Sequence, residues 1–401
     1  MSAGYAVICI QTAWLKFYYP VDFMCGTINS VISKQDKLTY YISQAQDMGI
    51  KILGPDINKS EGKYTIEDGN IRTGLVGLRN LGKMAAPILE EREKNGPFTS
   101  IENFVDRLLS NANKKVMESL IYAGALDCFE GSRRAKITAV PSILEFANYV
   151  KKGTFDEIPF TLPEVDAVYS SLKKISIPDI PEYEKAMMFD KEYEYAGLFI
   201  TGHPLDQYED VLTLHGFVKV NDIVPEEDGG DDEVEGVEVE KEYSPYDGQE
   251  VQIAGIIRDK KQIVTKTGKK MYMFSIEDKT GTLKCVAFPK VAENCEANIV
   301  NKALVIVKGK VEDNERGCQI IVDSIDDISL LTLTVVKSVW IDGRGLNPSD
   351  ILDFVTPMAG HTKLFVQLGN KRSDIKQITK GINVTWSNLM RLKENYSIKV
   401  L

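Results

Sequence analysis

The spacing of apolar residues changes along the chain from a helical period to a period of two. Apolar positions recur at helical spacing through most of residues 1–50, 136–150 and 183–194. Beyond residue 249 apolar and polar residues alternate in short runs that end at glycine-containing turns. A period near 3.6 is typical of amphipathic helices and a period of two of half-buried strands. The pattern therefore predicts a multidomain α plus β protein, with helical domains first and a β-rich domain after them.

The alternating region has the element order of a small barrel. Strands are predicted at residues 249–258, 271–277, 282–288, 303–311 and 317–323. Between the third and fourth strands Pro289 opens a short helix, a position where its missing N–H does no harm. Three strands, a helix and two strands is the order of an OB-fold β-barrel; some other small antiparallel barrel is the alternative. Residues 335–401 read as a small mixed α/β unit.

Two glycine-containing turns stand ahead of helical patterns in residues 71–140. A glycine turn before a helix lets backbone N–H groups point at a phosphate, and the helix dipole favours that negative charge. Two such turns in tandem suit the two strands of a duplex; an ordinary four-helix unit with capping glycines is the alternative. The residues predicted to grip duplex DNA are Gly77, Arg79, Gly82, Lys83, Lys114, Lys115, Gly124, Arg133 and Arg134.

The charge distribution agrees with this prediction although the net charge is −10. Residues 225–242 hold ten acids and one base, which gives −9, so the rest of the chain is close to neutral. Residues 71–140 hold eleven bases against eight acids, which gives +3. The acidic segment is interpreted as a solvated linker; a strand mimic that competes with DNA for a basic groove is the alternative.

An OB barrel binds single strands by stacking bases on one face and contacting the backbone with cations. If Phe274 and Ile276 point inward, then Met273 points outward on the second strand. Lys284 and Phe288 form part of the matching outward set on the third strand, although Phe288 could equally belong to the core. The predicted single-strand contacts are Arg258, Lys269, Lys270, Met273, Lys284, Phe288, Lys308 and Lys310.

Other chemistry finds little support in the residues. No apolar run is long enough to span a bilayer, and no secretion signal is apparent. The six scattered cysteines form no CxxC pair and three histidines have no ligand spacing, which disfavours a zinc site and favours a cytoplasmic protein. We expect no metal, no cofactor and no catalytic residue in this chain, and an enzyme of small-molecule metabolism is a remote alternative.

The block Leu198-Phe199-Ile200-Thr201-Gly202-His203-Pro204-Leu205 is the most distinctive of several in the chain. Together these blocks resemble one family, the alpha subunits of bacterial DNA polymerase III. The resemblance extends over about residues 2–330 through these further blocks: 3–20, 48–58, 77–82, 96–98, 120–125, 267–269, 276–281 and 288–289. It implies an order of domains: 1–70 end of fingers, 71–140 tandem helix-hairpin-helix module, 141–215 helical connector, 216–248 acidic linker, 249–334 OB-fold, and 335–401 small α/β domain.

The resemblance implies a role in template-directed DNA synthesis during replication. The hairpins would hold duplex behind the active site and the barrel would handle single-stranded template. The sliding clamp and the clamp loader would be partners, and Mg²⁺ would be needed only at a catalytic palm, which this chain does not include. We therefore expect the chain alone to be inactive in DNA synthesis.

Three positions depart from the family pattern. Met1 stands where the family usually has histidine, and Met273 stands where it often has phenylalanine. The clamp-binding peptide normally contains glutamine, and residues 152–160 have none. A module that binds replisome proteins, with incidental DNA contact, is the alternative to a DNA grip.

Overall fold

In the computed structural model the chain divides into two compact units, Met1–His203 and Pro204–Leu401. The structure describes residues 2–108, 113–151, 175–224, 243–265, 267–314, 317–331, 333 and 335–401. The acidic segment, residues 225–242, and the segment 152–160 therefore lie outside the described residues.

The first unit is mainly helical, as predicted. Its described helices are α1 Ser2–Tyr18, α2 Pro20–Ser30, α3 Gln35–Asp47, α4 Ala85–Asn95, α5 Ile101–Arg107, α6 Lys114–Tyr122, α7 Arg133–Lys151 and α8 Lys185–Ala196. Three short strands lie between α3 and α4: β1 Ile52–Leu53, β2 Thr65–Glu67 and β3 Asn70–Arg72. They form a sheet in the order β1-β3-β2, with β1 and β3 parallel.

One apolar core joins these helices and the small sheet. Met24 and Ile28 of α2, Ile71 of β3, Ile88 of α4 and Leu120 of α6 are all fully buried in it. Burial of an aliphatic side chain contributes about 1.5–3 kcal/mol, so this core is the main source of the unit's stability. It holds the glycine turns of residues 71–140 in place between the helices.

The second unit contains a closed five-stranded barrel with strand order β4-β5-β6-β8-β7. Its elements are β4 Glu250–Val264, β5 Lys270–Glu277, β6 Thr282–Ala287, β7 Leu304–Asn314 and β8 Gly317–Asp327. Two short helices, α9 Glu209–Leu214 and α10 Val220–Ile223, precede the barrel, and α11 Pro289–Cys295 lies between β6 and β7. The predicted OB-fold order is confirmed.

The predicted inward and outward faces of the barrel also agree with the structure. Phe274 and Ile276 are buried in the barrel core, whereas Met273 is exposed. Val220 and Ile223 of α10 join the same core. Residues 217–224, which the sequence analysis places in the acidic linker, therefore pack against the barrel, because they bring two apolar side chains to it.

The last part of the second unit is a four-stranded sheet with two helices on one face. It contains β9 Ser338–Asp342, α12 Pro348–Val355, β10 Thr362–Gln367, β11 Ile375–Ile382, α13 Trp386–Asn395 and β12 Ile398–Val400. The strand order is β11-β10-β9-β12, with β9 and β10 parallel. Val339 and Leu364 of the sheet are buried against Ile351 of α12 and Leu392 of α13. The mixed α/β prediction for residues 335–401 is confirmed.

Candidate nucleic-acid interface

The first glycine turn is open to solvent. Leu78 and Leu81 are buried and anchor it to the core, while Gly77 before Leu78 and Gly82 after Leu81 are exposed. Gly82 has φ +29°, and an added Cβ there would have no heavy atom within 4 Å. The turn therefore presents its backbone to solvent.

The helix start that follows this turn has no side-chain cap among the described residues. A short 3₁₀ segment, Gly82–Met84, leads directly into α4, and neither element has an N-cap side chain that accepts a hydrogen bond from its backbone N–H groups. By contrast, Ser100 caps α5 and Asn113 caps α6 through side-chain oxygens. The N–H groups at the start of a helix need partners, and a phosphate is a suitable one.

Basic side chains surround this open turn. Arg79 is exposed, and its backbone N–H donates to the Tyr195 carbonyl at 2.7 Å. Asn80 donates to the Ser119 hydroxyl at 3.2 Å and so joins the turn to α6. Lys115 lies one helical turn before Ser119, and both Lys115 and Lys83 are exposed. Lys114 is also exposed, at 3.7 Å from Glu118. The structure thus brings the predicted residues of the first turn and of the α6 start onto neighbouring elements.

The second glycine turn is filled by the protein itself. Gly124 has φ +84°, and an added Cβ would lie 2.3 Å from Nη2 of Arg133. Arg133 is buried and pairs with Asp127 and Glu192, at 2.7 Å each. The prediction that Gly124 and Arg133 contact DNA phosphates is therefore corrected, because the guanidinium occupies the space beside the glycine and is neutralised by carboxylates.

The helix start after the second turn is also occupied. Glu182 accepts hydrogen bonds from the backbone N–H groups of Arg133 at 2.7 Å and Arg134 at 3.1 Å. Ser132 accepts a further one from Ala135 at 3.1 Å. A carboxylate of the chain therefore stands at the start of α7, where the sequence predicted a phosphate. Arg134 remains exposed, with its guanidinium 6.0 Å from the Tyr183 ring.

The hydrogen bonds to Glu182 make the stability of the first unit decrease as the pH becomes acidic. Burial alone would raise the pKa of Glu182, but N–H donors of Tyr183, Arg133 and Arg134 outweigh it and hold the pKa below its usual range. A carboxyl with a lowered folded pKa stabilises above the unfolded pKa and loses this contribution as the pH falls through the folded one. We expect Glu182→Gln to lower the thermal midpoint near neutral pH and to have less effect in acid. A difference between the two proteins that does not shrink on acidification would contradict this.

Sequence reasoning missed Glu192, which connects three parts of the first unit. It is fully buried on α8, accepts from Nη1 of Arg133, and accepts from the N–H groups of Ile200 and Thr201 at 2.9 Å each. The block 198–205 is thus tied to the start of α7 through one carboxylate. An acidic residue within the apolar spacing of α8 was the only signal available in the sequence.

On the barrel, strand register defines an outward row. Met273 of β5 lies opposite Lys261 of β4 and Val286 of β6. The adjacent row joins Ser275 of β5 with Lys284 of β6. Phe288, two residues beyond Val286, is 47% exposed and is therefore not a core residue. Met273, Lys284 and Phe288 thus share the outward side of β5 and β6.

The other predicted barrel contacts lie elsewhere or have partners. Lys269 and Lys270 lie near acidic residues at the end of α11. The Lys269 ammonium is 3.7 Å from the Glu293 carboxylate, and the Lys270 ammonium is 3.1 Å from the Glu296 carboxylate. Lys308 and Lys310 are exposed on β7, which pairs with β4 and β8. Arg258 is mostly buried and its Nε lies 2.6 Å from the buried Glu277 carboxylate. The prediction that Arg258 faces a nucleic-acid backbone is corrected, since it forms this internal ion pair.

Two kinds of feature are absent from the described residues. These residues contain no group of three or more His, Cys, Asp or Glu that could hold a metal ion. Among them there is also no helix that is both long and apolar enough to cross a membrane.

Two family models match parts of the chain. Residues 49–136 match the family model of the helix-hairpin-helix motif, and residues 251–328 match that of the OB-fold nucleic acid binding domain. The presence of a helix-hairpin-helix motif and of an OB-fold is therefore confirmed, and both are nucleic-acid-binding types.

Curated relatives match nearly the whole chain and share one description, "DNA polymerase III subunit alpha". The protein of Deinococcus radiodurans is 33% identical over 88% of this chain and 26% of its own length. The protein of Treponema pallidum is 29% identical over 84% of this chain and 27% of its own length. The protein of Bacillus subtilis is 26% identical over 98% of this chain and 34% of its own length. The chain therefore spans about a quarter to a third of the length of these relatives.

Proposed function

Because the chain belongs to the family of DNA polymerase III alpha subunits, we propose that it forms a DNA-binding part of a replicative polymerase. The Gly77–Lys83 turn with α6 binds the backbone of duplex DNA, and the outward side of β5 and β6 binds single-stranded template. The observation that carries the proposal is the open, uncapped glycine turn among basic residues, followed in the chain by an OB barrel.

The duplex contact requires no base recognition. Uncapped N–H groups at Gly82 and Lys83 would receive one phosphate, and Arg79, Lys83, Lys114 and Lys115 would neutralise its neighbours. Contacts of this kind are independent of sequence and release condensed counterions, so affinity falls steeply with salt. Arg133 fills the space beside the second glycine turn, and Glu182 occupies the helix start after it. The first unit therefore offers one phosphate-binding turn, whereas the sequence suggested two.

The single-strand contact rests on stacking. Phe288 offers an exposed ring one residue beyond β6, on the same outward side of the barrel as the exposed Met273 and Lys284. Base stacking on an aromatic ring contributes about 1–3 kcal/mol and tolerates any base. The methionine thioether adds a polarisable apolar contact, but it is a weaker platform than a ring.

Titration of the whole chain with labelled duplex and with labelled single strands, each at two salt concentrations, tests the proposal. We expect both to bind without sequence preference and both to weaken as salt rises. Absence of binding to either DNA at low salt would reject it.

For the barrel, we expect Phe288→Ala to weaken single-strand binding by at least about fivefold and to leave duplex binding unchanged. Met273→Phe should strengthen single-strand binding, because it adds a second ring on the same face. Leu330→Ala is the matched control, since Leu330 is also an exposed apolar side chain but follows β8. Equal losses in Phe288→Ala and Leu330→Ala would contradict a stacking role for Phe288.

A second candidate function, contact with another protein, is favoured by α1. This helix exposes large apolar side chains on several sides, including Ile10 at 70% and Phe17 at 77%. Exposed apolar patches of this kind mark protein contacts. We propose that the sliding clamp and the clamp loader are among the partners, as the family implies; co-purification of each with this chain tests that.

A further inference from the structure

The terminal α/β part, residues 335–401, has an open sheet face with two stacked aromatic rings. Trp340 of β9 and Phe365 of β10 are directly opposite in register, with ring centroids 4.4 Å apart and planes at 22°. Both rings are partly exposed. The alternate residues Val339, Ile341, Leu364 and Val366 are buried on the other face, against α12 and α13.

Each ring of the pair has one face that the other ring does not cover. Paired strands lie about 4.8 Å apart, so two rings 4.4 Å apart and nearly parallel stand side by side on the sheet. Each ring has one face covered by the other ring and one face turned away from it. The indole N–H of Trp340 donates to the Ser338 hydroxyl at 3.0 Å, which holds this ring in its orientation.

The residues beside the rings are polar or basic. Lys399 of β12 lies opposite Trp340, and Gln377 of β11 lies opposite Phe365; both are exposed. Lys363, two residues before Phe365 on β10, is exposed as well. A stacked base on either ring would therefore have a cation or an amide within reach of its phosphate or its edge.

Acidic and basic residues are also unevenly distributed in this part of the chain. Residues 335–401 hold ten bases and five acids, which gives +5 in a chain of net charge −10. Three of the five acids, Asp350, Asp353 and Glu394, lie on α12 and α13. Of the other two, Asp342 pairs with Arg344 at 2.5 Å. The strands and their connections, without the two helices, therefore carry most of the positive charge.

We propose that this sheet face is a second site for single-stranded nucleic acid, in which a base stacks on the Trp340–Phe365 pair. Lys399 and Lys363 contact the flanking phosphates. Aromatic rings together with cations are the combination by which proteins bind single strands without sequence preference. The site is separate from the outward side of β5 and β6, and it does not depend on the role proposed for the barrel.

Tryptophan fluorescence can report on this site alone, since the chain has only Trp14, Trp340 and Trp386. In the double variant Trp14→Phe/Trp386→Phe, Trp340 is the single tryptophan. We expect its emission to be quenched by short oligothymidylate, and by oligouridylate of the same length if the site accepts RNA as well as DNA. Trp14→Phe/Trp340→Phe keeps only Trp386, on the helical side, and its emission should change little.

Affinity measurements complete the test. Phe365→Ala should weaken oligonucleotide binding at this site by at least about fivefold. Lys399→Gln, at an exposed position that leaves the sheet core intact, should weaken quenching and reduce its salt dependence. If Trp340 emission is unchanged at oligonucleotide concentrations that saturate the chain, the proposal is overturned. The Phe288→Ala variant serves as the independent control, because it should leave Trp340 quenching intact even when barrel binding is lost.

Discussion

Replacing Arg133 by alanine is expected to destabilise the helical unit by about 3–5 kcal/mol. The substitution leaves the carboxylate of Glu192 fully buried with its strongest partner gone, and it opens the space beside Gly124. Breaking a buried ion pair from one side is costly because the remaining charge stays out of water. Scanning calorimetry of the whole chain should show the transition of this unit at a clearly lower temperature.

Arg134→Ala is the matched control for this experiment. It removes the same side chain one residue later, from an exposed position, and exposed substitutions usually change stability by no more than about 0.5 kcal/mol. The double variant Arg133→Met/Glu192→Gln should recover much of the loss, since no buried charge then remains unpaired and the amide oxygen can still accept from the N–H groups of Ile200 and Thr201. If Arg133→Ala and Arg134→Ala unfold at the same temperature, the ion pair is not structural.

The double variant Lys83→Ala/Lys115→Ala is expected to lose most of its duplex affinity at low salt. Charge-assisted contacts contribute about 1.5 kcal/mol or more each, so the two losses amount to roughly a hundredfold. The slope of log affinity against log salt should fall by about 0.9 for each phosphate contact removed. Fluorescence anisotropy of a labelled duplex over a salt series measures both quantities.

Lys59→Ala/Lys94→Ala controls for the change in net charge. Both lysines are exposed in the same unit, and Lys94 lies near the end of α4 opposite to Lys83. This variant should keep nearly the full affinity and the full salt slope. A uniform loss in both double variants would mean that duplex binding depends on overall charge and not on the Gly77–Lys83 turn with α6.

The barrel is the part of the structure that the sequence pattern predicted most fully. Alternation along β5 identified Phe274 and Ile276 as core and Met273 as outward, because in a strand successive side chains point to opposite faces. The element order, with Pro289 opening a helix between β6 and β7, identified the topology. In residues 335–401 the sequence predicts a strand at 338–341, a helix near 350–355 and a strand at 362–367, and the structure has β9, α12 and β10 there, followed by β11, α13 and β12, which the pattern does not indicate.

In the hairpins the sequence pattern could not predict which arginines and glycines are exposed. Arg133 and Arg134 are adjacent and chemically identical, yet one is buried in an ion-pair network and the other is exposed. The difference comes from Glu192, which reaches Arg133 from a helix 59 positions further along the chain. Similarly, Gly82 and Gly124 both have positive φ, but only Gly124 has a guanidinium beside it.

Local periodicity, turn residues and short motifs depend on near neighbours, so they were enough to predict the helical first part, the barrel with its two faces, and the family. Which of the predicted cations stay exposed follows only from the packing of the folded chain. That choice depends on carboxylates such as Glu182 and Glu192, which are brought to the hairpin by the packing of distant segments. Burial makes an ion pair with such a carboxylate more favourable than exposure of an unpaired side chain, and burial is a property of the assembled core, not of local spacing.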